Sequence, residues 1–475
     1  MLPLVLIAIP LAGAAAAYLV SSNRVRPALL PLVTFAHLAA TLYALSLPNP
    51  AVAEGWLTLD PLGRVILLTV SLLFSGCSLY AFPYLILHVT RSNRILCACL
   101  LSMLAAMSAV AHAQHVGFLW VSMEATALAG APLIYFRRTP QAIEAMWKYL
   151  LLSSIGIALG LLGSFFLAYA AMAGGQEASL FFPDLIANAP GFSQPWLRAA
   201  FVVLLIGYGT KMGLAPMHTW KPDAYGEAPG IVGAVLAGGL TSCAFLAIVR
   251  FTMIMNAADQ GAIASRFLLI LGLMSMAVAA AFLTRQQDIK RMLAYSSIEH
   301  MGLLVIGLAM GGAGIYGAML HVLNNALTKG LLFLAAGNLH RSFGSKSINE
   351  VRGAFRRAPR SAVLFFVGFL AIVGSPPFGP FLSLFSILQG IFATHHFAIG
   401  ACVVLLLWTI FISMGHTVLR VLQGGAASAP AVDERNALIT PVALLAIVVL
   451  LLGVWLPEPL SRLIHEAAAF VEGRS

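Results

Sequence analysis

Apolar stretches of membrane-crossing length follow one another along the chain, separated by short polar connections. A hydrocarbon core of ~30 Å takes about 20 apolar residues of helix to cross, and segments such as Leu2 to Val20 and Leu438 to Trp455 reach that length. Helix starts are expected near residues 2, 27, 61, 94, 115, 146, 198, 230, 266, 290, 312, 361, 398 and 437. The pattern therefore predicts an all-α, polytopic membrane protein of about fourteen transmembrane helices, since lipid forces each span to satisfy its own backbone. The longest connections run from Gly174 to Trp196 and from Arg341 to Arg360, and each has room for a short interfacial helix but not for a domain.

Two predicted helices are interrupted by residues that break the hydrogen-bond ladder. The seventh carries Gly209, Gly213 and Pro216, and the twelfth carries Gly374, Pro376, Pro377, Gly379 and Pro380. They lie five helices apart, and a unit with an odd number of spans inverts when it repeats. Helices 4–8 and 9–13 thus read as two inverted five-helix repeats, each with its broken helix in fourth position, as in transporters whose broken helices line a midplane ion site. The expected division is 1–93, 94–257, 258–425 and 426–475: three leading helices, two repeats, and a last helix with its tail.

Composition agrees with the pattern: 60% of the residues are hydrophobic and 9% charged, which excludes a water-soluble domain of this size. The first helix lacks a basic leader and runs into a second span, so it is expected to stay in the mature fold. Five cysteines, Cys77, Cys97, Cys99, Cys243 and Cys402, lie in apolar segments without Cys-x-x-Cys spacing. No disulfide, metal or cofactor is expected of them. A cluster-binding Cys set and paired axial His are also missing, so any electron chemistry would reside on partner proteins.

The net charge of +10 does not point to nucleic acid, because the basic residues are scattered over short connections. Their sorting reports topology instead. Arg24, Arg26, Arg91, Arg94, Arg137, Arg138, Lys221, Arg285, Lys290, Arg291, Arg341, Lys346, Arg352, Arg356, Arg357, Arg360, Arg420 and Arg435 fall on one side, and Arg198, Arg266 and Arg462 on the other. By the positive-inside rule the first side is cytoplasmic, which places both termini outside.

Ionisable residues deep in the predicted spans are the candidates for function. Glu124 lies roughly 14 Å into the fifth helix, too deep to reach the interface. A charge there costs about 2.5–3.5 kcal/mol and calls for a partner or a hydrated route. Lys211, just ahead of the Pro216 break, is the candidate partner, and moving one of two such charges changes the proton affinity of the other. A static ion pair is the plainer reading. Lys148, near the end of the sixth helix, reads equally as a functional group or as a side chain extended to the interface. On the eleventh helix His321, Asn325 and Lys329 recur at i, i+4 and i+8, a polar stripe along one face. Glu299, His300 and His416 extend the set. Interhelical hydrogen bonding is the alternative for all of these.

The segment from Gly209 to Pro229, GTKMGLAPMHTWKPDAYGEAP, resembles the broken seventh helix of the antiporter-like subunits of respiratory complex I, group 4 membrane-bound hydrogenases and multisubunit cation/proton antiporters. The segment from Asp288 to Gly302 is similar to that family's tenth-helix motif, and its Glu299-His300 form is most like the hydrogenase and formate hydrogenlyase branch. Residues from His321 to Gly337 and from Pro376 to Phe381 resemble the eleventh- and twelfth-helix motifs. The resemblance implies that Glu124 and Lys211 form the coupled pair of a first half-channel, with Lys329 as central relay and His321 beside its route. It implies translocation of protons, or of sodium in exchange, by one subunit among other membrane subunits and peripheral redox subunits, in a bacterial or archaeal cell membrane. Two positions depart from the family pattern: Thr241 and Ser242 stand where many relatives carry an eighth-helix Lys, and Leu384 where the twelfth helix usually has Glu or Lys. His416 is a possible substitute for the latter. Two other readings stay open: an ion-conducting partner of a non-redox soluble protein, such as one that gathers inorganic carbon, and a non-conducting scaffold.

Overall fold

The computed structural model describes residues 2–47, 55–423 and 432–473, so the expected boundary at 425/426 lies outside the described residues. The spans are α1 (Leu2–Leu19), α2 (Leu29–Leu45), α3 (Pro61–Leu87), α4 (Arg94–His112), α5 (Val116–Ile134) and α6 (Pro140–Ala173). A broken seventh span follows as α7a (Gln194–Met212) and α7b (Trp220–Glu227). Then come α8 (Gly230–Ala257), α9 (Gly261–Leu283), α10 (Ile289–Met310) and α11 (Gly312–Phe343). The twelfth span is broken into α12a (Pro359–Ile372) and α12b (Gly379–Ala393), before α13 (Phe397–Gln423), α14 (Asn436–Val454) and a last helix α15 (Glu458–Val471). Among the described residues twelve helices are long and apolar enough to cross a membrane. The two broken spans complete the fourteen expected.

Starts and stops follow local chemistry. Asp60 caps α3 by accepting from the Gly63 amide at 2.6 Å, Thr139 caps α6 through the Ala142 amide at 3.1 Å, and Asp288 caps α10 through the Lys290 amide at 2.8 Å. The two long connections each hold a short helix, Phe182–Asn188 and Ala354–Arg357. The first is pinned to the start of α5 by Val116 N–H to Leu180 O at 2.9 Å and Phe182 N–H to Gln114 O at 2.8 Å. The sequence pattern did not separate α15, a short amphipathic helix that packs on α3 and α11.

The packing order inverts that of a soluble protein. Two of the less apolar spans, α10 and α11, lie in the centre beside the apolar α8, whereas the very apolar α13 and α14 lie outside and expose much of their surface. Lipid imposes this order, because polar side chains find partners only between helices. Trp147, Leu151, Ile155 and Phe165 on α6, and Leu405 and Trp408 on α13, face outward.

The five-span repeats show in the packing. The neighbours α4–α5, α5–α6 and α6–α7a have their counterparts in α9–α10, α10–α11 and α11–α12. Both breaks are built alike: Gly213 and Gly374 adopt φ +76°, and each stands three residues before a cis proline, Pro216 and Pro377. Only glycine takes that left-handed conformation without a steric penalty.

Candidate functional site

The first break is held open by satisfied backbone. The Ala215 amide donates to Ser275 Oγ at 2.9 Å, and the Trp220 indole donates to the Thr210 carbonyl at 2.8 Å. Lys211 sits in the last turn of α7a, fully buried, and its Nζ lies 3.3 Å from Glu124 Oε2 on α5. Glu124 retains 21% side-chain exposure against 0% for Lys211, and its other oxygen accepts from Ser154 Oγ at 3.3 Å. The pair inferred from depth alone is therefore a contact, with the ammonium inside and the carboxylate toward the surface.

Lys221 was sorted with the cytoplasmic loops, and the structure corrects this: it begins α7b and is fully buried. Its chain lies in the notch of the first break, where a Cβ on Gly213 would collide with Lys221 Cε. Its Nζ lies 3.4 Å from Ser297 Oγ on α10. The neighbouring Ser296 accepts from Lys329 Nζ at 2.8 Å, and Lys329 also reaches the Leu293 carbonyl at 3.3 Å. Two adjacent serines thus bring ammonium groups from the two repeats onto one turn of α10. The sequence signal for Lys221 is a charge eight residues beyond Gly213, and charge sorting along the chain does not separate a buried lysine at a helix break from one in a connection.

Beyond Lys329 the site continues through imidazoles. Glu299 stands one turn after Ser296 on α10, and its Oε2 lies 4.0 Å from His300 Nε2. His300 Nδ1 is 3.0 Å from His321 Nε2, and His321 Nδ1 is 2.8 Å from Ser383 Oγ on α12b. Ser383 donates to the Pro380 carbonyl at 3.0 Å. A carbonyl has no proton to give, so the hydroxyl's lone pair takes the Nδ1 proton of His321. His321 Nε2 then accepts from His300, whose Nε2 is left as the free acceptor beside Glu299. A proton placed on that nitrogen can pass along the two rings by exchange.

Asn325 is buried on the same face of α11, yet neither atom of its amide has a partner among the described residues. It is Asn324 that binds the second break, donating to the Gly379 carbonyl at 2.8 Å. Two other expected members fall outside the row. Lys148 keeps 46% side-chain exposure and pairs with Glu144 at 2.6 Å and Asp223 at 2.9 Å, because its place near the start of α6 lets it reach polar partners at the interface. His416 is exposed on the outer face of α13, so it does not join the buried polar set or replace a twelfth-helix group.

The departures at α8 and α12b have clear structural consequences. Thr241 and Ser242 turn their hydroxyls back onto the Ala237 and Gly238 carbonyls at 2.7 and 2.5 Å, so the donor of each is spent within α8. Leu384 packs among Met276, Leu303, Ile306 and Ile387. A Cβ on Gly374 would meet its Cδ1 at 2.6 Å. The glycine notch that holds a lysine in the first break therefore holds a leucine in the second. Of the sequence-selected break residues, Pro216 and Pro377 form the cis bonds, Gly209 accepts from the Gly213 amide at 2.7 Å, and Pro376 precedes Pro377 in the open turn.

Comparison with known proteins agrees with this architecture. The chain is 32% identical over 413 residues to the hydrogenase-4 component F homolog of Methylacidiphilum infernorum (isolate V4), spanning 85% of this chain and 86% of the relative. A chain of the archaeal membrane-bound sulfane sulfur reductase superposes with a TM-score of 0.87 at 22% identity, covering 99% of this chain and 98% of that one. A chain of respiratory complex I from Thermus thermophilus does so with 0.85 at 22% identity, covering 100% of each. Residues 113–412 match the transmembrane family of NADH:quinone oxidoreductase and Mrp antiporter subunits, and the chain belongs to that family.

Proposed function

We propose that the chain moves protons across the membrane as one subunit of a larger redox-driven complex of the hydrogenase or complex I type. The observation that carries this reading is the junction at Ser296 and Ser297, where Lys221 from the first repeat and Lys329 from the second meet on adjacent hydroxyls. Buried ammonium groups without a carboxylate in contact are costly to keep charged, so each is prone to release its proton when a neighbour's charge changes. Movement of Lys211 away from Glu124 would free Lys211 to exchange a proton with Lys221. Lys329 would follow, and Glu299 with the His300–His321 pair would receive the proton on the far side. The unpartnered amide of Asn325 suits a bound water on that route.

The decisive experiment is Lys211→Ala in the assembled complex, reconstituted in vesicles with a pH-sensitive dye. Proton uptake should fall to background while assembly is retained. Uptake at the parental rate rejects the reading, and sodium-dependent uptake would assign exchange instead. One observation favours a second reading. The row stops at Leu384 in an apolar cluster, which suits a chain that conducts through its first half only or serves as a scaffold. A scaffold tolerates Glu124→Gln. Copurification separates redox partners from a zinc protein that gathers inorganic carbon.

A further inference from the structure

A cavity of about 350 Å³ opens at the end of the bundle where α3, the α5–α6 connection and the end of α11 meet. That volume falls in the ~300–1,000 Å³ range of small-ligand sites. Its charged lining is of one sign. Arg91, Arg137, Arg341, His88 and His340 surround it, and no carboxylate lines it. Among the described residues no ion pair engages Arg91, Arg137 or Arg341, whereas Lys148, Arg291 and Lys346 are all paired with carboxylates. Guanidinium groups gathered without a counter-charge repel one another, and the repulsion is relieved by a shared anion.

The hydrogen-bonding pattern points the same way. Arg137 can only donate, so its contact with His340 Nε2 at 2.9 Å fixes the His340 proton on Nδ1. That Nδ1 and the Arg341 Nε are buried donors with no acceptor among the described residues. Arg91 spends one donor on the Phe136 carbonyl at 3.3 Å and lies 5.6 Å over the Phe136 ring. Tyr84 supplies a second aromatic wall. Forked donors above aromatic surface fit an oxyanion attached to an apolar body, the chemistry by which basic pockets between spans take phosphate headgroups.

We infer that this cavity is a binding site for a phosphate-bearing anion, with an anionic phospholipid headgroup or free phosphate as the two sources. It would bind together α3, the first repeat and the far end of α11, which carries His321 and Lys329. The inference does not depend on proton transport, and its test reads binding alone. The full chain in neutral detergent is heated while phosphatidylglycerol, phosphatidylcholine or inorganic phosphate is titrated. Phosphatidylglycerol should raise the unfolding temperature where phosphatidylcholine does not. Arg341→Gln should weaken half-saturation roughly five-fold. Arg91→Gln removes an exposed side chain and should do the same without harming the fold, as judged by its unfolding temperature in phosphatidylcholine. Equal protection by inorganic phosphate would assign the site to the free ion. An undiminished phosphatidylglycerol response in both variants overturns the proposal, as does a chain protected by poly-glutamate but by neither phosphate source.

Discussion

At the scale of single residues, three buried lysines have three different environments. Lys211 touches a carboxylate, Lys221 a lone serine hydroxyl, and Lys329 a serine and a carbonyl. Lys221 is the one whose removal separates transport from packing. Lys221→Met keeps an unbranched chain over Gly213 and deletes only the ammonium, so the fold should hold and the two repeats lose their junction. Vesicle proton uptake should drop at least ten-fold, about 1.4 kcal/mol on the barrier, with assembly unchanged; parental uptake would mean that protons bypass Lys221. Legibility differed among these residues. Depth along a helix was enough to single out Glu124 and Lys211, and the polar stripe with His321 and Asn325 singled out Lys329, because burial of a charge in lipid is costly wherever it occurs. It could not distinguish Lys148, which finds Glu144 and Asp223 at the interface, nor His416, whose side of α13 depends on what packs against it.

At the scale of elements, the start of α3 and the C-terminal half of α8 are joined by a pair the linear pattern does not reveal. Arg250 Nη2 lies 2.8 Å from Asp60 Oδ2, with Arg250 2% and Asp60 11% exposed. The same carboxylate caps α3 and accepts from Gln114 Nε2 at 3.0 Å, while the guanidinium lies 4.9 Å over the Phe182 ring. Removing one charge leaves the other uncompensated, so Arg250→Met should destabilise the chain by about 3–5 kcal/mol, read as a fall in unfolding temperature. Combining it with Asp60→Asn should recover part of the loss, since the cap survives and no lone charge remains. Element starts agree with the sequence pattern at the capped positions Asp60 and Asp288, but α6, capped by Thr139, begins at Pro140, six residues before its expected start. The end of α14 at Val454 also matches, whereas α15 falls within the expected tail because its amphipathic pattern is too short to cross a membrane.

At the scale of the whole molecule, the two repeats share a backbone plan and differ in what fills it. Gly213 and Gly374 open equivalent notches, one occupied by Lys221 and the other by Leu384. Polar chemistry at the second break is thereby limited to the His321, Asn324 and Ser383 contacts from α11 and α12b, while its glycine notch is filled by an apolar side chain. Orientation in the membrane follows from charge and is tested directly. On the positive-inside reading Glu350 faces the cytoplasm and Glu177 the outside, and both are exposed. A membrane-impermeant thiol reagent should label Glu177→Cys in intact cells and Glu350→Cys only after permeabilisation. The reverse pattern would invert the molecule and place both termini inside.

The sequence alone determined that the chain is a bundle of membrane helices, how many spans it has, where two of them break, and which charges lie too deep for lipid. Each of these is a one-dimensional consequence of bilayer thickness and of the backbone preferences of glycine and proline. Only the tertiary structure decided which charges meet. Whether Lys221 lies in a loop or a notch, whether Leu384 continues a route or closes it, and whether three arginines border one cavity all depend on helix rotation and on neighbours distant in sequence. Lipid makes spacing along the chain legible and leaves the choice of partner to packing.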